Sequence, residues 1–276
     1  MIVFPNSKIN LGLNILRKRN DGYHDLETVF YPIPLTDVLE IIENKHPDAS
    51  PRMPFTTSGY SIPGIPASNI CAKAYKLLKV DFPKMPFIKM HLHKTVPIGA
   101  GLGGGSADAA FALKLLNELF DLRLSTDRLK EYAAELGSDC PFFILNKPCF
   151  ATGRGEIMEE INLDLSNYQF VVVNPGIHIN TGDTFIKLNP AIPEKRITAI
   201  ISQPIETWKN ELQNDFEKVV FKQYREIVDI KDSLYTSGAI YASMSGSGST
   251  VYGIFPKGKV TLPSFPSTYF VKVMEG

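Results

Sequence analysis

Three cysteines in 276 residues, Cys71, Cys140 and Cys149, are too few and too irregularly spaced for a disulfide framework or a zinc site, and they suit reduced thiols. An excess of either charge is also missing, because 29 lysines and arginines balance 29 aspartates and glutamates. That balance argues against a general nucleic-acid or membrane-surface binder. No apolar run approaches the roughly 20 residues that cross a bilayer. The start, "MIVFPNSK", lacks a charged region followed by an apolar core, so no export signal is expected. A cytoplasmic protein with neither a nucleic-acid nor a membrane partner is therefore predicted. Internal repeats and low-complexity tracts are lacking as well. What remains is an ordinary composition, 44% hydrophobic and 21% charged, on a chain long enough for one large or two modest domains, and two are favoured.

"KINLGLNIL" alternates, with Ile9, Leu11, Leu13 and Ile15 on one face and Lys8, Asn10, Gly12 and Asn14 on the other, which predicts a half-buried strand. The Asp-Gly turn of "RNDGYH" then leads into one or two more strands in "LETVFYPIPLTDVLEI". From His46 to Pro66 the chain thickens in proline, serine, threonine and glycine, and an irregular excursion is expected. Ser68 is the expected N-cap of a helix in "NICAKAYKLLK". "FIKMHLHKTV" alternates as a strand with one wet face, on which His91 and His93 stand as surface residues. The strongest helical periodicity, Ala110, Leu113, Leu116 and Phe120, follows in "SADAAFALKLLNELF". Another helix is expected from the N-cap Ser125 to a stop at Gly137. Further on come a buried strand in "QFVVVNPG", helices in "TGDTFIKL", "PIETWKNELQ" and "DFEKVVFKQYREIVDI", a strand, loop and strand in "IYASMSGSGSTVYGIF", and a last strand near "YFVKVM".

Between the wet-faced strand and the most periodic helix lies "VPIGAGLGGGSADAA", with five glycines between Gly99 and Gly105. A strand, a glycine run and a helix start gather backbone N–H groups and a positive helix end around one small volume, which suits phosphate. Glycines let the backbone approach the oxygens and adopt positive φ. Ser106 is expected either to cap the helix or to face a phosphate or magnesium ion. The G-x-x-x-x-G-K-[ST] loop fails for want of a lysine before Ser106. Gly99, Gly101 and Gly104 do match the dinucleotide fingerprint, with Glu118 or Asp121 at about the right distance, but the preceding strand is polar on every second residue and a dinucleotide fold wants it apolar throughout.

Four other groups of residues stand out. Lys8 and Asn10 share the polar face of the first strand. Asp139, in "GSDCPFF", follows a helix stop and precedes an apolar segment, as a turn cap or as a handler of metal and protons. Tyr23 and His24 follow the Asp-Gly turn, where they either pack or stack on a flat heterocycle. "SMSGSGST" is a second small-residue loop, either a flexible connection or another backbone cradle.

"PNSKINLGLNILRKRNDGYHDLETVF", "PIGAGLGGGSADAA" and "SGSGST" together resemble the three motifs of the galactokinase, homoserine kinase, mevalonate kinase and phosphomevalonate kinase (GHMP) superfamily. The "DGYH" ending differs from the "GEH"-type ending of its sugar and mevalonate kinases, and "LGSDCPFF", "ATGRGE" and "NDFE" (Asn214 to Glu217) add to a likeness that spans nearly the whole chain. The resemblance implies an α+β fold, with a ribosomal-protein-S5-domain-2-like N-terminal domain over 1–160 and a ferredoxin-like C-terminal domain over 161–276. It implies an ATP- and Mg²⁺-dependent phosphorylation of a hydroxyl on the methylerythritol part of a CDP-linked small molecule, in the non-mevalonate route to isoprenoids, by a monomer or weak homodimer. ATP phosphates would lie on Pro97, Ile98, Gly99, Ala100, Gly101, Leu102, Gly103, Gly104, Gly105, Ser106 and Ala107. Lys8 and Asp139 would be catalytic, and Ser106 and Asp139 would meet magnesium. Asn10, Tyr23, His24 and Phe185 would bind the substrate, and Ser245, Gly246, Ser247 and Gly248 would form the second glycine loop. The chain departs from the superfamily at Ala100, a usual glycine, and at Ala107 and Asp108, a usual Ser-Asn; Asp108 would repel ATP unless it faces away.

Overall fold

A computed structural model describes residues 1–45, 53–258 and 260–276. The chain opens with β1 (Ile2–Val3) and two thirteen-residue strands, β2 (Asn6–Lys18) and β3 (His24–Thr36), joined by the expected Asp-Gly turn. β4 (Val38–Glu43) and β5 (Phe55–Gly59) follow, then α1 (Ile70–Asp81) and β6 (Ile88–Lys94). After the glycine loop come α2 (Gly104–Leu119), α3 (Thr126–Leu136) and α4 (Cys140–Leu145). β7 (Cys149–Thr152), β8 (Ile157–Glu160) and β9 (Tyr168–Asn174) lead to α5 (Thr181–Ile186), α6 (Ile197–Ile201) and α7 (Ile205–Glu211). The chain closes with α8 (Glu217–Gln223), α9 (Arg225–Thr236), β10 (Tyr241–Met244), β11 (Val251–Pro256) and β12 (Phe270–Glu275). Among the described residues no helix is long and apolar enough to cross a membrane.

The elements form two compact units that interleave along the chain, one of residues 1–7, 35–98 and 103–146, the other of 8–34, 99–102 and 147–276. The division expected from the sequence was linear. Interleaving arises because the bulk of β2 and β3 shares a sheet with the later strands β7 and β8, in the order β2-β3-β7-β8.

In the first unit the sheet order is β1-β4-β6-β5, antiparallel except for the β5–β6 pair. β6 buries Ile88, Met90 and Leu92 and leaves Lys89 and His93 outside, as its alternation requires. His91 and His93 bond to Thr56 and Ser58 hydroxyls, and among the described residues no group of three or more His, Cys, Asp or Glu could hold a metal. β5 lies inside the stretch expected to be irregular. Its Phe-Thr-Thr run suits a strand and gains a ladder on β6, Phe55 opposite Met90, that local composition does not reveal; residues 46–52 of that stretch lie outside the described residues. Asn69, not Ser68, caps α1, accepting from the Cys71 N–H at 2.9 Å, because Ser68 is taken up in a preceding 3₁₀ turn. Ser125 and Gly137 bound α3 as expected.

In the second unit β10-β11-β9-β12 is an all-antiparallel sheet. Val171 and Val173 of β9 and Ala242 and Met244 of β10 form a core with Phe216, Val220, Ile227, Ile230 and Leu234. The helix expected across "DFEKVVFKQYREIVDI" is two helices, since Tyr224 at φ −131°, ψ 92° leaves helical geometry between them. β2 is not half-wet: Lys8 and Asn10 are as buried as Ile9 and Leu11. Trp208 is 1% exposed, donates from Nε1 to the Gln203 carbonyl at 3.2 Å and meets Tyr241 edge-on at 5.8 Å. Trp208→Ala is expected to cost about 3–5 kcal/mol in urea unfolding, through lost burial and a residual cavity; a loss under about 1 kcal/mol would show that the site collapses freely.

Candidate active site

On the first unit, the glycine loop ends at Gly103, whose φ of 70° is left-handed and which serves as N-cap of α2 without any side-chain cap. The helix thus starts two residues before the Ser106 cap expected from the sequence. Ser106 sits in the first turn, because Gly103 can reverse the chain as serine cannot and the Ala107 N–H already bonds to the Gly103 carbonyl at 2.9 Å. An uncapped helix start leaves backbone donors aimed outward with the positive end of the dipole, the arrangement that receives phosphate. A Cβ on Gly105 would meet nothing within 4 Å.

Asp139 stands at the N-cap of α4, yet its side chain makes no cap hydrogen bond to that helix. Next to it, burial pushes the Cys140 thiol up to about 11, opposed by a hydrogen bond with Ser106 and assisted by the Asp139 charge. Ser106 and Asp139 therefore flank one inert thiol. Ser106, in the first turn of the uncapped α2, and Asp139, next to the thiol that Ser106 bonds, are oxygen donors of the kind Mg²⁺ takes, one or two from protein with its shell completed by phosphates and water.

On the second unit, the Lys8 ammonium donates to Asn10 Oδ1 at 2.6 Å and to the Gly101 carbonyl at 3.3 Å, and lies 5.0 Å from the centre of the Phe30 ring. Asn10 gives its other end to Thr28 Oγ1 at 2.9 Å, so both ends of its amide are engaged in holding Lys8. The second glycine loop packs on residues 99–102. Ser245 Oγ donates to the Gly101 carbonyl at 2.8 Å, and the Thr250 N–H to the Ala100 carbonyl at 3.3 Å. Thr181 and Ser247 hydroxyls pair at 2.7 Å. The loop is thus packed in place, not a loose connection.

The aromatic group is built around Phe185. His24 stacks on it at 4.9 Å with the rings 15° apart, and Phe216 meets it edge-on at 4.9 Å. Tyr23, 56% exposed, lies under the Arg154 guanidinium at 4.8 Å. Burial first, and then the Lys18 charge, lowers the His24 pKa below its ordinary 6.5, so at pH 7 the ring is neutral and offers one donor and one acceptor.

Residues 69–147 match the GHMP kinases N terminal domain and residues 197–261 the GHMP kinases C terminal domain. A 4-diphosphocytidyl-2-C-methyl-D-erythritol kinase of Bacteroides fragilis is 53% identical over 271 residues, spanning 98% of this chain and 97% of its own. The chain belongs to the GHMP kinases. A second such relative, from Bacteroides thetaiotaomicron, is 53% identical over 264 residues, 95% of this chain and 94% of its own. A crystal structure of 4-(cytidine 5'-diphospho)-2C-methyl-D-erythritol kinase superposes with a TM-score of 0.79 at 27% identity, over the whole of both chains. A mevalonate kinase at 16% identity and TM-score 0.69, covering 94% of this chain and 92% of its own, shares the fold.

In this GHMP kinase Ala100 and Asp108, two of the departures at the glycine loop, are accommodated by the fold. Ala100 is absent from the positive-φ residues, so a methyl group fits there. Asp108 is turned into the interior and neutralised there by a lysine. It is buried, bonds to Lys94 Nζ at 2.7 Å, and shares that ammonium with Asp37. Burial, with the Asp37 charge assisting and Lys94 opposing, raises its pKa to about 7. Asp37 Oδ1 also accepts from the Thr95 and Val96 N–H groups at 2.7 and 2.9 Å, so the triad ties α2 to the residues leading into the glycine loop. Sequence reasoning noticed Asp108 only as a departure and missed Asp37 and Lys94, which lie far apart in sequence and in no motif. Arg154 and the buried Glu27, which accepts from Arg196 and from the Ile197 N–H, lie inside quoted motifs, but their partners do not, and they were not singled out.

Proposed function

We propose that this kinase phosphorylates a hydroxyl of 4-diphosphocytidyl-2-C-methyl-D-erythritol with ATP, giving the 2-phosphate and ADP, as a cytoplasmic step toward isoprenoid precursors. The observation that carries it is the 53% identity, over nearly the whole of both chains, to proteins of that name. The Lys8 network and the uncapped start of α2 supply fitting chemistry. Along the chain, residues 1–160 would bind ATP and act on it, and 161–276 would serve the substrate side, in a monomer or weak homodimer.

Phosphoryl transfer asks the protein for in-line positioning and for opposite charge where negative charge spreads. Backbone N–H groups between Ile98 and Ser106 take the phosphate oxygens, in the loop that Pro97 and Ala107 bound. Asp139 accepts the proton of the acceptor hydroxyl as its oxygen bonds to phosphorus, and the Lys8 ammonium stabilises the negative charge developing there. Magnesium, held through Ser106 and Asp139, would neutralise charge on the phosphates. His24 and Phe185, with Tyr23 at the rim, hold the cytosine ring by stacking and hydrogen bonds, and Asn10 keeps Lys8 in place.

The test is ADP release from MgATP with the cytidyl substrate beside homoserine, mevalonate and galactose. Turnover with the cytidyl substrate alone supports the proposal, and turnover with another acceptor instead refutes it. Phe185→Ala is expected to raise KM for the cytidyl acceptor about tenfold or more while KM for ATP stays unchanged, since stacking on a ring contributes about 1–3 kcal/mol per base. Free methylerythritol phosphate should be a poor substrate, because polar groups left unpaired are costly; equal efficiency on it would remove the cytosine pocket from the account. With His24 already neutral at pH 7, acceptor KM should stay flat upward from there and change only as pH falls below 6.5 and the ring gains a proton.

A further inference from the structure

The "NDFE" segment has no part in the chemistry above, yet its asparagine is 1% exposed and saturated with hydrogen bonds. Asn214 Nδ2 donates to the Met244 carbonyl at 2.7 Å and to the Gly246 carbonyl at 2.8 Å, while Oδ1 accepts from the Phe216 N–H at 3.0 Å. The two carbonyls bracket Ser245. That serine receives the Asn10 N–H at 3.3 Å and donates to the Gly101 carbonyl at 2.8 Å. Asn10 and the Gly101 carbonyl are two acceptors of the Lys8 ammonium.

Glu217 secures the other side of the same turn. Its Oε1 accepts from the Met244 N–H at 2.8 Å and the Ser243 hydroxyl at 3.0 Å, and its Oε2 pairs with Lys231 at 2.6 Å. A left-handed glycine turn has little to hold one shape by itself, and Gly246 at φ 56° needs its carbonyl fixed from outside. An amide with two N–H groups spans carbonyls two residues apart. A carboxylate would repel both, and a hydroxyl could serve only one.

We propose that Asn214 is a positioning residue for the Lys8 ammonium, acting through residues 244–246 and the Ser245 hydroxyl, with Glu217 anchoring the turn. This rests on the kinase activity proposed above. Asn214 touches none of the reacting groups; it sets where Lys8 can stand when charge develops on the acceptor oxygen.

The test is a double-mutant cycle in kcat with MgATP and the cytidyl acceptor, pairing Asn214→Ser with Lys8→Met. Asn214→Ser in otherwise unaltered protein is expected to lower kcat about 10- to 100-fold, the scale of a small misplacement, with KM for ATP within about threefold. In the Lys8→Met background the same change is expected to cost less than about threefold, because the group it positions is gone. Ser245→Ala, which leaves the Asn214 bonds in place and cuts their link to Gly101 and Asn10, is expected to couple to Lys8→Met in the same way, and it serves should Asn214→Ser not fold. Equal losses in both backgrounds, or unchanged kcat in folded Asn214→Ser, overturn the proposal while the kinase activity stands. No turnover by the unaltered protein overturns the activity, and this proposal with it.

Discussion

Asp139→Asn is expected to lower kcat by at least about 10², with KM for both substrates within a few-fold, because general-base assistance is typically worth about 10²–10⁴ and the substitution keeps size and shape. An alcohol is a weak nucleophile at neutral pH, and its proton must leave as the bond to phosphorus forms. Asp139 stands at a helix start without serving as its cap, so the substitution removes no capping hydrogen bond. Loose phosphoryl-transfer transition states need little base, so the size of the effect is informative. A loss of only a few-fold would assign Asp139 to positioning, and unchanged kcat would remove it from the mechanism.

Gly101→Ala is expected to abolish measurable turnover and to lower the melting temperature, whereas Gly105→Ala, four residues on, leaves folding intact. A Cβ on Gly101 would lie 2.0 Å from the Ser245 carbonyl oxygen, at a φ of 79° that disfavours any side chain. Neither backbone can retreat cheaply, because the Gly101 carbonyl holds both Lys8 and the Ser245 hydroxyl. A shift of about 1 Å there displaces the ammonium and costs at least about 10² in kcat. Gly105 lies in the first turn of α2, where a Cβ meets nothing within 4 Å and alanine improves helix propensity by up to about 1 kcal/mol. Its melting temperature should hold or rise while KM for ATP increases, since the added methyl lies beside the donors that face phosphate. Equal behaviour of the two variants, by calorimetry and steady-state kinetics, would contradict the packing of the second glycine loop on residues 99–102.

Where local chemistry sets the structure, the sequence was informative. Ser125 and Gly137 bound α3, β6 is wet on alternate residues, and the glycine run opens α2. Errors came where a residue's partner lies elsewhere. Of the two readings of Ser106, the cap is ruled out, because Gly103 reverses the chain first and the serine sits in the first turn. β5 was expected to be irregular and is a strand, because β6 offers it an edge. Tyr224 divides one periodic stretch into two helices by its backbone geometry alone. Among the site residues, Lys8 and Asp139 were singled out on motif resemblance, but the burial of Lys8 and its hold by Asn10 and Gly101 could not be read from alternation, which left it on a wet face.

The sequence by itself determined the kinase family, through the order of its motifs, and its five glycines next to a helix start are the reason a phosphate site is proposed there. The tertiary structure decided how those parts are held. It paired Asp108 with Lys94, engaged both ends of the Asn10 amide, and braced the second glycine loop with Asn214. Motifs are contiguous and follow local backbone rules, whereas a buried polar side chain takes its role from whichever donors and acceptors the fold brings within about 3 Å, and those come from distant parts of the chain.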